Sequence, residues 1–384
     1  MLRPERLSET FLEFIRIDSP SREEWHVAVL LKERLEALGG KVFFDDSEEK
    51  TGSSSGNLIA FFDGIEGVSP LLLSAHMDTV EPGRGIRPLF EDGIFRSSGD
   101  TILGADDKSG IAVILEVLES LREDGKAHGP IELAFSVCEE IGLLGAKCMQ
   151  KDLLRSTFGY VLDSMVPDGI VTRAPAANRF RFEVHGLEAH AGGAPEKGIN
   201  AIKLAAKAIA RCPDGRIDEE TTCNIGKIEG GVATNIVASS ALVLAEARSH
   251  DPEKLRKLTQ EMVSAFQDTV DEAKKSGKGE LPSLTVHVEE DFTRLFVPES
   301  SRAVEKARKA AKNLGRELPS CVTGGGSDAN IFFAHGIEAC VLGTGMREVH
   351  TLSEHIALSD MMRCAELVQE IILEQAKTKE SSHG

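Results

Sequence analysis

The chain has 384 residues, with 44 Lys and Arg against 62 Asp and Glu, and a formal charge of −18. Its 41% hydrophobic content argues against a largely disordered chain, and the length is enough for two domains with separate cores. The acidic balance argues against a nucleic-acid partner or an anionic membrane surface, which need clustered Lys and Arg, and a single Trp and Tyr leave little for base stacking.

Along the chain, Val27, Leu30, Leu31, Leu35 and Leu38 form a helical stripe that stops at Gly39-Gly40. Short apolar runs follow at Asn57 to Phe62, Leu71 to Ala75 and Ile131 to Val137. Between the last two, Ile111, Ile114, Val117, Leu118 and Leu121 share a helix face. Tyr160 to Leu162 and Ala339 to Leu342 read as further buried strands. Helices alternating with such runs predict an α/β layer with a mostly parallel sheet flanked by helices.

The middle of the chain has a different rhythm. Arg179 to His185 alternates as a half-exposed strand, and a helix is expected from Gly198 to Arg211. Strands near Asn224 to Ile228 and Ala241 to Arg248 come next. Asp251-Pro252 supplies an N-cap and a first-turn proline for a helix burying Leu255, Leu258, Met262, Phe266 and Val270 and ending near Gly277. Leu284 to Glu289 closes a βαββαβ order, which predicts an inserted α+β domain of ferredoxin-like type. The expected division is 1–175 with 293–384 as one discontinuous domain and 176–292 as the insert. A helix from about Ser300 to Leu314 rejoins the first domain, and a polar tail follows Ala376.

Seven scattered Cys without a CxxC suit unlinked thiols in a reducing cytoplasm. The start, MLRPERLSETFLEFIRIDSP, lacks the apolar core of a signal peptide. No run approaches the ~18–20 apolar residues of a membrane span. A cytoplasmic protein is expected.

The informative acids stand where apolar runs end. His76 and Asp78 follow LLLSA, and residues i and i+2 of a strand share a face. An imidazole beside a carboxylate suits a metal ligand with its orienting group, though a solvated strand end gives the same pattern. Asp106 and Asp107 stand between Gly104-Ala105 and Lys108-Ser109-Gly110 at a helix start. An N-cap explains one Asp there but not two among small residues. Cys138-Glu139-Glu140 ends IELAFSV, and paired acids after a buried strand are costly unless a cation meets them. Asp163 ends YVLD, where a turn Asp is the alternative, and His350 follows the run ending Leu342-Gly343. In an open parallel sheet, ligands gather beyond the carboxyl ends of the strands. His76, Asp106, Glu140, Asp163 and His350 all fall there, a set without Cys that suits two divalent ions, zinc or a similar metal.

SAHMDTV, GADDKSGIA, VCEEIGLLGA, VLDS and EVHT, in this order, resemble the di-zinc aminoacylase and carboxypeptidase G peptidases, and within them the peptidase T group of aminotripeptidases. The resemblance spans nearly the whole chain. It implies that His76 and Asp163 hold one zinc, Glu140 and His350 the other, and that Asp106 bridges both. It makes Asp78 the orienter of His76 and Glu139 the general base, and it implies a cis bond between Asp106 and Asp107. In the insert, His190 of GLEAHAG would polarise the scissile carbonyl in the active site of a partner subunit, so that a homodimer through the insert is implied. Asn235, Arg248 and the loop residues Gly325 and Gly326 match substrate-holding positions. Arg248 is suited to clamp a carboxylate. Unaided, the GGGSD loop could pass for a phosphate cradle, but it lacks a P-loop Lys.

The activity implied is hydrolysis of short peptides by activated water, with cobalt or manganese as alternatives to zinc. The chain is shorter than peptidase T near its first metal loops, which leaves tripeptide specificity open. An aminoacylase or carboxypeptidase acting on N-acyl amino acids or dipeptides is the alternative within the family. A catalytically silent metal-dependent binding protein is the alternative outside it, although such a protein needs no Glu139. A nucleotide-binding α/β protein is disfavoured because no GxGxxG follows the first strand.

Overall fold

The computed structural model describes residues 1–275 and 280–377. The helix stop expected at Gly277 and the polar tail beyond 377 lie outside these residues. The chain divides into a large unit, 1–173 with 295–323 and 327–384, and a small unit, 174–294 with 324–326.

The large unit is built on a nine-stranded sheet. Four neighbouring strands, Ile131–Ser136, Leu71–His76, Phe158–Ser164 and Glu338–Gly343, run parallel. Lys41–Phe44 and Leu58–Phe62 add antiparallel at one side, and Ile170–Ala174 pairs antiparallel with Glu338–Gly343 at the other. Every residue of Leu71–His76 and Ile131–Ser136 is buried, as continuous apolar runs in a helix-covered parallel sheet require. The mostly parallel α/β layer expected from the alternation is therefore present.

Around the sheet, the Ala105–Glu123 helix packs against Pro4–Ile15 and Leu358–Ala376. Pro4–Ile15 buries Leu7, Phe11, Phe14 and Ile15, a stripe within the segment otherwise notable only for lacking a signal core. The hairpin Pro88–Glu91 and Ile94–Ser97 also escaped sequence reasoning, because its strands are four residues long and Pro88–Glu91 is mostly exposed. No helix among the described residues is long and apolar enough to cross a membrane. All seven cysteines are free thiols.

The small unit carries a five-stranded antiparallel sheet in the order Gly215–Arg216, Thr221–Gly230, Ser240–Ser249, Ala176–His185, Ser283–Phe292. Without the two-residue strand this is the 2-3-1-4 order of a ferredoxin-like βαββαβ unit. The helices Ala201–Ile209 and Pro252–Lys275 share its core, where Phe182 and Phe266 stack with centroids 3.9 Å apart. The first helix starts later than Gly198. Asn200 caps it by accepting from the Lys203 N–H at 3.0 Å, and Pro195–Lys197 forms a separate short turn. Asp251 caps the second helix, with its Oδ1 accepting from the Glu253 N–H at 2.7 Å.

Candidate metal centre

The parallel strands deliver their ends to one place. Ser74 lies opposite Val161 and His76 opposite Ser136, so His76, Asp163 and the segment after Ser136 come level at the carboxyl edge. The Ala105–Glu123 helix brings Asp106 and Asp107 in a non-helical first turn, and the peptide bond between them is cis. Gly110 lets this turn approach the sheet, since a Cβ there would sit 2.8 Å from the Leu162 carbonyl and 2.6 Å from Asp107 Oδ1. His350 arrives on the loop after Glu338–Gly343.

Asp106 is the centre of the cluster. Its Oδ1 lies 3.1 Å from His76 Nε2, and its Oδ2 lies 3.1 Å from His350 Nε2. His350 Nε2 also lies 3.1 Å from Glu140 Oε1. Ligand atoms of His76, Asp106 and Glu140 lie within 4.8 Å of one another, as do those of His76, Asp107 and Asp163. The structure thus gathers all five residues expected to hold metal. At this range Asp163 joins Asp107 rather than Asp106. Asp107, however, spends its oxygens on backbone, Oδ2 accepting from the His76 N–H at 3.3 Å and Oδ1 from the Gly110 N–H at 3.2 Å.

Asp78 serves more groups than expected. His76 Nδ1 faces the Asp78 main-chain carbonyl at 2.9 Å, with the Asp78 carboxylate at 3.5 Å. A donor at Nδ1 leaves the Nε2 lone pair for a cation. The Asp78 carboxylate itself accepts from the Glu139 N–H at 2.9 Å, the Glu140 N–H at 3.2 Å and the Ser21 hydroxyl at 2.6 Å. One step earlier, buried Glu24 accepts from the Cys138 N–H at 3.0 Å and lies 3.4 Å from its thiol. Three consecutive N–H groups, 138 to 140, are thereby held by two buried carboxylates.

Glu24 and Glu354 carry no local signal in the sequence, and Asp107, singled out beside Asp106, is given no role there. Glu354 accepts from the Leu103, Gly104 and Asp106 N–H groups. Asp328, after the Gly-rich loop, accepts from the Ser136 hydroxyl. Their common signal is an acid buried within a fold that offers it backbone donors, which local spacing does not reveal.

The electrostatics suit a cation. Burial, reinforced by Asp328, Glu140 and Asp78, pushes the Glu139 carboxyl well above its usual range. Burial together with Asp106, Asp107 and Glu139 does the same to Asp163. Burial alone would raise Asp106 as well, but hydrogen bonds from His350 and His76 hold it below the usual range. Hydrogen bonds to Asp106 and Glu140 raise His350 to about 10. No Lys or Arg among the described residues forms an ion pair with Asp106, Glu139, Glu140 or Asp163. Four largely buried carboxylates with the buried imidazole of His76 and the half-exposed one of His350 fit two divalent cations, with oxygen and nitrogen donors in the set zinc accepts. Among the described residues, none donates a hydrogen bond to the Glu139 carboxylate.

The remaining expected residues lie in the small unit. His190 is exposed on the loop after Ala176–His185, and its Nδ1 accepts from the Gly192 and Gly193 N–H groups at 3.2 and 3.0 Å. With Nδ1 an acceptor, the neutral ring carries its proton on Nε2 as a free donor. Asn235 is its neighbour, the Asn235 carbonyl accepting from the Ala191 N–H at 3.0 Å. Arg248 pairs with Glu246 at 3.0 Å and donates to the Gly324 carbonyl at 3.4 Å, while its buried Nε has no partner. In the same loop, a Cβ on Gly326 would meet the Phe292 ring at 2.5 Å, whereas Gly325 has open space.

The chain matches Peptidase family M20/M25/M40 over residues 72–374. The uncharacterized protein YqjE of Bacillus subtilis is 41% identical over 378 residues, which cover 98% of this chain and 100% of the relative. The crystal structure of aminopeptidase PepT from Bacillus cereus is similar with a TM-score of 0.87 at 41% identity, covering 98% of this chain and 100% of that one. A tripeptidase from Staphylococcus aureus is similar with a TM-score of 0.91 at 38% identity, again over 98% and 100%.

Proposed function

The chain belongs to Peptidase family M20/M25/M40, the metal-dependent peptide hydrolases related to peptidase T, and within it we propose a two-ion exopeptidase of short peptides with Glu139 as general base. The observation that carries this reading is Asp106, whose two carboxylate oxygens each meet a different histidine. His76, Asp163 and Asp106 would hold one ion, and Glu140, His350 and Asp106 the other. When bound, two divalent cations, zinc foremost with cobalt or manganese as alternatives, acidify water toward a pKa of ~7 and polarise the scissile carbonyl.

Glu139 takes the proton of the attacking water and passes it to the leaving amine. Its raised proton affinity without a cation suits a group that must both accept and release. Asp78 fixes the ring of His76 and the backbone of both glutamates. The His190 Nε2–H of a partner subunit donates to the carbonyl oxygen as negative charge builds on it. Asn235, Arg248, Gly325 and Gly326 hold the substrate, the Arg248 guanidinium pairing its free carboxylate. In this reading 176–292 is a lid and dimerisation domain, and 1–175 with 293–384 the catalytic domain, of a cytoplasmic homodimer.

The test is Glu139→Ala. It should lower kcat by roughly 10²–10⁴ while metal content stays near two ions per chain. Loss of metal instead would make Glu139 a ligand and refute the assignment. A panel of di-, tri- and N-acylated substrates decides the substrate class, and hydrolysis confined to N-acyl amino acids would favour an aminoacylase.

A further inference from the structure

We propose that Glu354 is a positioning residue that sets the affinity of the ion held by Glu140, His350 and Asp106, with less hold on the ion of His76 and Asp163, which shares Asp106. The inference rests on the two-ion reading above.

Glu354 is 1% exposed and reaches a segment 248–251 residues away in sequence. Its Oε2 accepts from the Leu103 and Gly104 N–H groups at 2.7 and 2.8 Å, and its Oε1 accepts from the Asp106 N–H at 3.0 Å. Both oxygens are therefore committed to the loop that presents Asp106. At the other end, Glu354 belongs to a closed loop. Arg347 and His355 exchange N–H···O bonds of 2.9 and 3.0 Å, pinching the loop at its base. Inside it, the Glu354 N–H donates to the Thr351 carbonyl at 3.1 Å, and the Thr351 hydroxyl donates to the Glu348 carbonyl at 2.7 Å. His350 lies in this loop at φ +62°, a left-handed conformation that residues with a side chain adopt uncommonly.

Glu354 thus ties the loop of His350 to the loop of Asp106, whose side chains meet at 3.1 Å. The other ion shares Asp106 through Oδ1, but its two remaining ligands need no such tie. His76 ends Leu71–His76 and Asp163 lies within Phe158–Ser164, which are neighbours in the parallel ladder. Sheet hydrogen bonds set their separation. A Gln at 354 would keep the size but turn an amide N–H₂ toward a backbone N–H that now finds an acceptor.

Metal-free protein titrated with zinc against a chromophoric chelator reads the effect. Wild type should show two sites. Glu354→Gln should keep one near wild-type affinity and weaken the other about 10–100-fold, with kcat recovering at high zinc and the peptide KM unchanged. The double variant with His350→Ala should lose no more affinity than His350→Ala alone, because both act on the same site. Glu354→Asp keeps the charge but not the reach, and should show the same selective loss should the Gln variant not fold. Two wild-type affinities in a folded variant, or equal weakening of both, would overturn the proposal and leave the two-ion reading standing. A wild type that binds fewer than two ions would overturn both.

Discussion

Around Asp106, backbone N–H groups are taken by carboxylates drawn from distant parts of the chain: Glu24 and Asp78 hold 138 to 140, Asp107 holds 76 and 110, and Glu354 holds 103, 104 and 106. Around His190, the loop holds itself. Gly192 and Gly193 bond the ring they follow, and Asn235 contributes a main-chain carbonyl from the neighbouring strand connection. The first arrangement is buried and costly to perturb, while the second is exposed, so its side chains can change with little effect on the fold. Charge in a dry site must be positioned before the cation arrives, whereas an exposed donor need only be available when the substrate does.

This contrast is broken or sharpened most strongly by His190→Ala. Activity should fall about 10²–10³-fold, the size expected for one lost oxyanion donor, with melting temperature and metal content unchanged. Mixing it with Glu139→Ala should restore part of the activity if sites are shared between subunits, and a mixture as inactive as its parts would exclude sharing.

Asp78→Ala should do the reverse. It leaves the Glu139 and Glu140 N–H groups without acceptors, at about 1–3 kcal/mol each where they are buried, and should weaken metal binding about 10–100-fold. Unchanged melting and unchanged metal affinity would show that the carboxylate scaffold is dispensable.

A smaller effect is the pH dependence of metal stabilisation. In the metal-free protein His350 stays protonated up to about 10, held by Asp106 and Glu140. The stability this gives is complete below about 6.5, the usual histidine value, and is lost as pH rises through about 10. A bound cation replaces that proton, so the rise in melting temperature on adding zinc should grow across this window. A rise that shrinks with pH would count against His350 as a ligand.

The same contrast governs what could be read in the sequence. His76, Asp106, Glu139, Glu140 and Asp163 were legible because each follows or borders an apolar run, where an acid is expensive and its position is tied to a strand or helix end. The parallel layer was legible for the same reason. His190, Asn235 and Arg248 carry no comparable local signal, and only family resemblance singled them out. Glu354 and Glu24 were invisible because what they hold is main chain. A backbone N–H has no residue type, and Glu354 meets its partners only after some 250 residues of chain have folded back. The hairpin at Pro88–Ser97 was lost to its brevity.

The grip of Glu24 on residue 138 has a consequence for chemical labelling. Cys138 stands next to the proposed base, yet it is fully buried, and burial and the neighbouring Glu24 carboxylate push its thiol far up. Its thiolate, the form that alkylates, is scarce and enclosed. Iodoacetamide should therefore leave Cys138 unmodified in the folded protein, and any inactivation by thiol reagents traces to the partly exposed Cys148, Cys212 or Cys321.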